Sequence, residues 1–595
     1  MNSTFGGLNT VIRGLAAQQA GLDTVGHNVS NANTTGYSRQ TVNLVTTTPD
    51  TLYSNNGTMQ KGSGVNVQSI TRIRDFLIDK QMWEGISTLN AGKSKQDSLS
   101  KVETILNDTS DTGVQSVMND FWDSWQTLAT SASDDGTRMA VREQGVTLAN
   151  TIQTAASQLT DMVSDINDTI TTKVKSINQL TSEISSLNKQ IFAVEAGGTD
   201  NANDLRDRRD ALVDDLSGMV DVRVTEDSSG RYIIQSASTT LVSATDYTAL
   251  KTVSSKDADY GYSLVNVADA QTGQVLNFTN GELSSMIDMR DNASTGIKSY
   301  LNNLSTMSQF LLTDFNAVHK TGYGTNNSTG NNFFGDASAD YSDATATASY
   351  TKADWIDKLA VNQALFTTDG LAKIAAKTSA NAIAVTQSNT GGGAASIASA
   401  TGNYTNGDTA TSVKVNLTVA AGVVTKVSYS TSTDGGKTWG TSTDIAGAGP
   451  YTMTINGITV NLNVAASASN QTGDQYNFTL SKGNVASGDN AVNLSKRLKN
   501  DTSALLGNKT LDGYYSTVVT SLGVQSQNAK RLTTNQQTLV NQTTNWRASV
   551  SGVSTDEELT NMIRFQKGYS SAARVLTAMD EMLDKLINGT GTVGR

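Results

Sequence analysis

Apolar residues recur in alternating steps of three and four at both ends of this 595-residue chain. Phe5, Leu8, Ile12, Leu15, Gln19, Leu22, Gly26 and Val29 mark one row. Met562, Phe565, Tyr569, Ala572, Leu576, Met579, Leu583 and Leu586 mark the other. A 3-4 row puts an apolar seam on one side of a helix and asks for a partner helix. The two ends can partner each other, they can partner copies of the same chain, or they can be ordinary amphipathic helices on a globular core. Spacing leaves these readings open. The same period predicts helix over 1–33, over most of 76–130 (Val114, Met118, Phe121, Trp125, Leu128) and over 203–218. It is clearest from Ile152 through Leu159, Ile166, Ile177 and Ile184 to Val194, a helix of roughly 65 Å that implies a rod-shaped bundle. It returns at Ile297–Val318, and again from Leu511, Tyr515, Val518 and Leu522 through Leu532 and Leu539 to Trp546 and Val550.

Between these helices the period changes to two. Residues 34–75 read as an extended connector with strand character at Val65, Val67 and Ile70. Val220, Val222 and Val224, then a Ser229-Gly230 turn into Tyr232-Ile233-Ile234, predict a small β domain. From about 322 the chain is rich in Gly, Asn, Ser and Thr and is read as strand-like. Val413, Val415, Leu417 and Val419 alternate, as do residues 453–481 around Ile455 and Val460. The expected fold is multidomain α+β, with terminal heptad helices forming a coiled-coil or helical rod from both chain ends and β-rich domains inserted in the middle. The expected units are 1–75 with 551–595 as terminal core and connector; 76–218 with 290–320 and 495–550 as helical rod; 219–285 as small β domain; and 322–490 as Gly/Ser/Thr-rich β domain with an insert at 385–485.

Composition narrows the chemistry. There is no cysteine, so disulfides, Cys nucleophiles and Cys-ligated metals are excluded. Two histidines, His27 and His319, leave almost no room for a catalytic triad or a His-based metal site. The net charge of -11 with 17% charged residues argues against nucleic acid and against a basic membrane-binding face. No apolar window is long enough to span a bilayer. Arg13, Gln18, Gln19 and Asp23 interrupt the first 30 residues, so no cleaved secretory signal is expected. The two prolines, Pro49 and Pro450, leave the helices unkinked.

After the first helix comes Gly26-His27-Asn28-Val29-Ser30-Asn31-Ala32-Asn33-Thr34-Thr35-Gly36-Tyr37-Ser38-Arg39-Gln40. Asn, Ser and Thr compete with the backbone for hydrogen bonds and Gly36 can take positive φ, so the run is a helix stop. The run also closely resembles the signature of the axial proteins of the bacterial flagellum, and its Ser-Arg-Gln ending looks like that of the hook-associated protein at the junction of hook and filament. Further blocks are similar to the same family: Gly62–Val65 with Ile70, Arg72, Asp75, Phe76, Leu77 and Gln81; Asn203–Leu212; Phe315–His319 with Gly322; and Ser551–Leu559 running into Phe565, Gln566 and Tyr569. They cover roughly 1–380 with gaps and 486–590. Residues of about 385–485 carry no family motif.

The resemblance implies a structural, non-enzymatic part of an extracellular flagellum, exported by the flagellar type III route and connecting hook to filament by self-assembly of its terminal helices into a ring or helical layer. The partners it implies are hook protein, the filament-side junction protein, a filament cap during growth, and an export chaperone. The implied assembly seams are Phe5, Leu8, Ile12, Leu15, Leu22 and Val29 at one end. Met562, Phe565, Tyr569, Leu576, Met579, Leu583 and Leu586 form the other, where the chaperone would also bind. Asn28, Asn31, Ala32, Asn33, Gly36, Tyr37 and Arg39 would hold the helix exit. With Gly14, Gly21 and Gly26 the first helix buries little alone, so ordering on assembly is expected. A hook or rod subunit is the neighbouring alternative; the Asn203–Leu212 block and the 152–194 helix argue against it.

Three other strings bear on chemistry. His27 ends a helix, where an imidazolium suits the dipole. The Asp204, Arg206, Asp207, Arg208, Arg209, Asp210 cluster could hold a phosphate or metal, yet at helical spacing opposite charges more simply pair on a solvated face, and the resemblance favours a helix–helix clamp. Ser432-Thr433-Asp434-Gly435-Gly436-Lys437-Thr438-Trp439 resembles the Asp-box hairpin of sialidases, where Asp434, Gly436 and a buried Trp439 would be structural. A glycan-binding or adhesive role for the 385–485 insert is the alternative from another class. No cofactor, catalytic residue or metal ligand is assigned.

Overall fold

The computed structural model describes residues 6–54, 57–106, 113–198, 200–379, 388–389, 395–402, 404–406, 409–446, 449–464, 471–481 and 487–589. The order begins with α1 (Gly6–Ser30), β1 (Gln40–Thr46), β2 (Asp50–Ser54), β3 (Gly57–Lys61), β4 (Val65–Arg72), α2 (Phe76–Leu106), α3 (Val114–Thr130), α4 (Asp135–Glu195) and α5 (Asn203–Met219). A β lobe follows: β5 (Arg223–Glu226), β6 (Tyr232–Ser236), β7 (Thr239–Ser243), β8 (Asp246–Tyr247), β9 (Leu250–Lys256) and β10 (Ser263–Asp269). Then come α6 (Glu282–Asp291), α7 (Ile297–Phe310), a π-helical turn (Leu311–Phe315), α8 (Asn316–Thr321) and α9 (Lys352–Asp357). The insert holds β11 (Ser388–Asn389), β12 (Ala395–Gly402), β13 (Thr411–Ala420), β14 (Val423–Ser432), β15 (Thr443–Ala446), β16 (Tyr451–Ile455), β17 (Ile458–Val464) and β18 (Gln475–Leu480). Last are α10 (Asp489–Lys499), α11 (Leu511–Ser551) and α12 (Thr555–Asp584).

α4 is the spine. It begins at Asp135, well before the expected Ile152, because Asp134 caps it by accepting from Thr137 N, and it is about 90 Å long. Its buried row runs from Val141 through Leu148, Ile152 and Leu159 to Ile184 and Ile191. α3, α5, α6 and α7 pack along it. Near its start, around Gly145, Phe121, Trp125, Phe315, Phe333 and Phe334 interlock, with Phe333 and Phe334 rings 4.9 Å apart. The β lobe is not a core of its own: Val224, Tyr232, Ile234, Leu241 and Val267 join the helical core.

The strand-like reading from 322 onward is wrong up to residue 377. That stretch has α9, two 3-10 turns and loops, and no named strand. Its aromatics Phe333, Phe334, Tyr341 and Trp355 are buried in the helical body. Buried Asn316, Asn332 and Asn362 satisfy the loop backbone: Asn316 Oδ1 accepts from Phe333 N and Phe334 N, and Asn362 Nδ2 donates to Asn332 O at 2.8 Å. Gly, Asn, Ser and Thr signalled turns, and turns alone do not make a sheet.

The insert has two antiparallel sheets, ordered β11-β18-β13-β14-β15 and β12-β17-β16, around a separate core of Val413, Val415, Leu417, Val460, Phe478 and Leu480. Its two stalks meet. Thr378 N donates to Asp489 Oδ1 at 2.9 Å, Thr378 Oγ1 bonds Asp489 Oδ2, and Asn490 N donates to Ala376 O at 3.0 Å. In the 432–439 hairpin, Asp434 accepts from Ser432 Oγ, Lys437 N and Thr438 N. These hydrogen bonds hold its carboxyl far below the usual range. Gly435 and Gly436 take φ of 74° and 89°. Trp439, expected to be buried, is half-buried, with the Lys414 ammonium 4.6 Å above its ring.

Candidate functional site

α1 and α12 lie side by side and antiparallel. A Cβ on Gly7 would meet Met579, one on Gly21 would lie 2.6 Å from the Phe565 ring, and one on Gly568 would meet Gln18. Asn28, at the other end, bonds Glu558. The helices approach where side chains are smallest. The buried positions of α1 are Ala17, Gly21, Thr24, Val25 and Asn28. Among the expected seam residues, Leu8, Leu15, Leu22 and Val29 are half-buried, Ile12 is 46% exposed, and Phe5 lies outside the described residues. The α1 contact is therefore rotated from the heptad row onto its glycine face. On α12, Met562, Phe565, Tyr569, Leu576, Met579 and Leu583 are half-buried and Leu586 is exposed.

The connector flanks this pair. β1 and β4 form a ribbon, and Gly64, at φ of 111°, comes within 3.4 Å of Thr10 Cα at its Cβ position. β2 and β3 extend it as a hairpin.

None of the described apolar side chains of α1, α12 or the ribbon belongs to the core of the helical body. What joins the two units is polar. Asn28 sits at the centre: Nδ2 donates to Gln40 O at 2.9 Å and to Glu558 Oε2 at 3.1 Å, while Oδ1 accepts from Gln40 N at 2.9 Å and from Tyr37 OH at 2.7 Å. Tyr37 OH also lies 3.1 Å from His27 Nδ1. Burial, then the carboxylates of Asp204 and Asp207, push the Tyr37 phenol well above its usual range, so it stays a donor. Gly36 turns the chain at φ of 82°, where a Cβ would press on Ala211 at 3.2 Å. Asn31 donates to His27 O at 3.1 Å; Ala32 is half-buried and Asn33 exposed. Arg39 N donates to Ser551 O at 2.8 Å, and its guanidinium holds Glu557 at 2.6 Å.

α5 receives this loop. Ser38 N and Oγ both donate to Asp207, at 2.8 and 2.7 Å. Gln40 Nε2 donates to Asp204 at 2.9 Å, and Asn203 Nδ2 donates to Ile70 O at 2.8 Å. Beneath them, Arg72 binds Asp207 at 2.8 Å and Asp210 at 2.5 Å. Arg74 binds Asp79 at 2.7 Å, and Arg547 of α11 binds Asp214 at 2.8 Å. Burial alone would raise the Asp210 pKa; Arg74, Arg72 and Arg209 outweigh it and hold the carboxyl below its usual range. Burial raises that of Asp79, against the pull of Arg74.

The 204–210 cluster is thus solvated only at Asp204 and Arg208. Arg209 and Asp210 are fully buried, with the Arg209 guanidinium 3.4 Å above the Tyr232 ring. Its partners come from β4, the residues before α2, the 38–40 loop, α4 and β5 rather than from its own helix. Asp207 and Asp210 belong to the cluster for which the resemblance favours a clamp, but Ser38, Gln40, Arg74 and Glu558 are not among the site residues expected from sequence. The signal was present: Asn203, Asp207, Asp210 and Asp214 follow helical spacing, a polar stripe on one face of α5. Among the described residues no group of acidic or histidine side chains could hold a metal ion, and no helix is long and apolar enough to cross a membrane.

Residues 99–334 match the family model "Flagellar hook-associated protein FlgK helical domain". Residues 547–589 match "Flagellar basal body rod FlgEFG protein C-terminal", and residues 8–37 match "Flagella basal body rod protein". The chain is 32% identical over 600 residues to the flagellar hook-associated protein 1 of Bacillus subtilis, covering 100% of both chains. It is 27% identical to that of Escherichia coli, over 98% of this chain and 99% of the relative. A solved structure of the flagellar hook junction protein FlgK from Burkholderia pseudomallei is similar at 20% identity with a TM-score of 0.49, over 78% of this chain and 100% of that one.

Proposed function

The chain belongs to the flagellar hook-associated protein 1 family, and from that membership we propose how its parts do the family's work. It is a structural component of the flagellum at the hook–filament junction. The helix pair α1–α12 is the part that enters the common axial layer, and the helical body sets its angle. The observation that supports this most is the anchor: Asn28, Tyr37, Ser38 and Arg39 tie the end of α1 at once to α5, to the end of α11 and to the start of α12. A rigid polar clamp fixes direction without an apolar core, which suits an element whose apolar faces are kept for neighbours. The work is shape matching between hook and filament components and needs no reaction.

Copies of the chain, hook protein on one side, the filament-side junction protein on the other and a cap during growth are the partners this reading requires. Export through the flagellum's own channel, with a chaperone covering Met562, Phe565 and Tyr569 until α1 takes their place, completes it. Deleting the gene should leave bare hooks in electron micrographs with flagellin shed into the medium. Normal filaments would overturn the reading, and loss of the hook itself would point to a rod or hook subunit.

A further inference from the structure

α11 carries one heptad series from end to end, and the fold uses only half of it. Leu511, Tyr515, Val518 and Leu522 are buried in the body. Beyond Ala529 the contact with α2 passes to Thr533, Gln536 and Val540, which lie against Gly92 and Gly85. The series itself continues as Leu532, Gln536, Leu539, Thr543 and Trp546; its Gln536 stays against Gly85, while its apolar members Leu532, Leu539 and Trp546 are 61%, 53% and 51% exposed. A straight helix of 3.6 residues per turn drifts about 20° per heptad against a strict seven-residue repeat. Over the five heptads from Leu511 to Trp546 the row swings out of the α2 contact. Packing in cis does not require a seven-residue repeat here; a second helix laid along this face does.

The charges say which helix. From Gly513 to Ser551 α11 has no acidic residue. Arg547 is held by Asp214, while Lys530 and Arg531, next to Leu532, are exposed and have no ion pair among the described residues. α12 offers the complement: Leu559 and Ile563, 49% and 58% exposed on the side away from α1, share that side with exposed Asp556, while Glu557 is held by Arg39. Leu532 cannot reach the start of its own α12, because about 28 Å of straight helix separates it from the end of α11.

We propose that the Leu532–Leu539–Trp546 face of α11 is a contact between copies, seating the acidic, apolar start of α12 of a neighbouring copy of this chain. The inference rests on the junction reading above and adds the surface that joins one copy to the next. Because the two patches differ, the contact is heterologous and propagates into a ring or helix rather than closing as a dimer.

The chain has no cysteine, so engineered pairs report cleanly. Flagella would be isolated from cells producing the full chain as L532C/I563C and oxidised with copper–phenanthroline. A ladder of covalent multimers is expected, with none from S157C/I563C, in which Ser157 lies exposed on α4. A chain present in the flagella but still monomeric overturns the proposal, as do dimers from L532C alone. If the unsubstituted chain is missing from isolated flagella, the junction reading itself fails. In parallel, K530E/R531E with wild-type circular dichroism should be retained in flagella about tenfold less and be restored by D556K. Undiminished retention overturns the charge complementarity.

Discussion

α4 and α12 are both long helices with apolar periodicity, and they live by different rules. α4 buries a large side chain at almost every turn. α12 buries Glu558 alone. The spine is held by close-packed Leu, Ile and Phe. The terminal pair is held by glycines that let helices touch and by a clamp of carboxylates, amides and guanidinium groups. The body thus buries a core of its own, while the terminal pair buries little and leaves its outer faces exposed.

The contrast breaks first where the core is densest. Trp125→Ala should cost about 3–5 kcal/mol in denaturant unfolding while leaving the clamp chemistry untouched. Asp210→Ala should cost nearly as much, about 3–5 kcal/mol, because Arg72 and Arg74 keep their buried charges without it. If its loss is nearly neutral, the polar network does not anchor the connector.

The body also carries a buried histidine whose protonation opposes folding. His319 is fully buried; its Nδ1 lies 2.8 Å from Asn331 O and its Nε2 accepts from Ala375 N at 3.0 Å. Burial lowers its pKa to about 4. The unfolded chain then binds the proton more tightly than the folded one, so this contribution is complete above about pH 6.5 and is lost as pH falls toward 4, up to about 3 kcal/mol. The denaturant midpoint of His319→Gln should fall less steeply over that window than that of the unsubstituted chain.

Smaller effects belong to the terminal pair. Gly21→Ala pushes a methyl into Phe565 and should cost roughly 1–3 kcal/mol locally: limited proteolysis near α1 accelerates while the unfolding of the body does not move. Arg39→Ala removes a partly exposed ion pair worth about 1 kcal/mol or less, which a shift in unfolding midpoint would bound.

How legible this was follows the same divide. The helical rows of α4, α5, α7 and the first half of α11 could be read from sequence because burial enforces period. The pair of terminal helices could be read as well, but not its contact face: a heptad row drew the eye to Leu8, Ile12 and Leu15, while close approach depends on Gly7, Gly21 and Gly568, which carry no hydropathy signal. The loops of 322–377 were misread because their order comes from distant aromatics and from Asn side chains bonding the backbone, and neither is local. The clamp was legible in half. Its loop side announced itself as Asn28–Arg39, whereas the spacing of its receiving side on α5 reads as solvated charge and only the resemblance points to a clamp, because the partners Arg72 and Arg74 come from the far end of the connector.

The meeting of Thr378 with Asp489 has a practical and evolutionary consequence. A segment whose entrance and exit touch is a socket: what is plugged into it can grow, shrink or be exchanged while the helices on either side keep their register. Between those two residues the chain can accept a fluorescent reporter or a different domain, and lineages can vary this segment without disturbing the helices on either side.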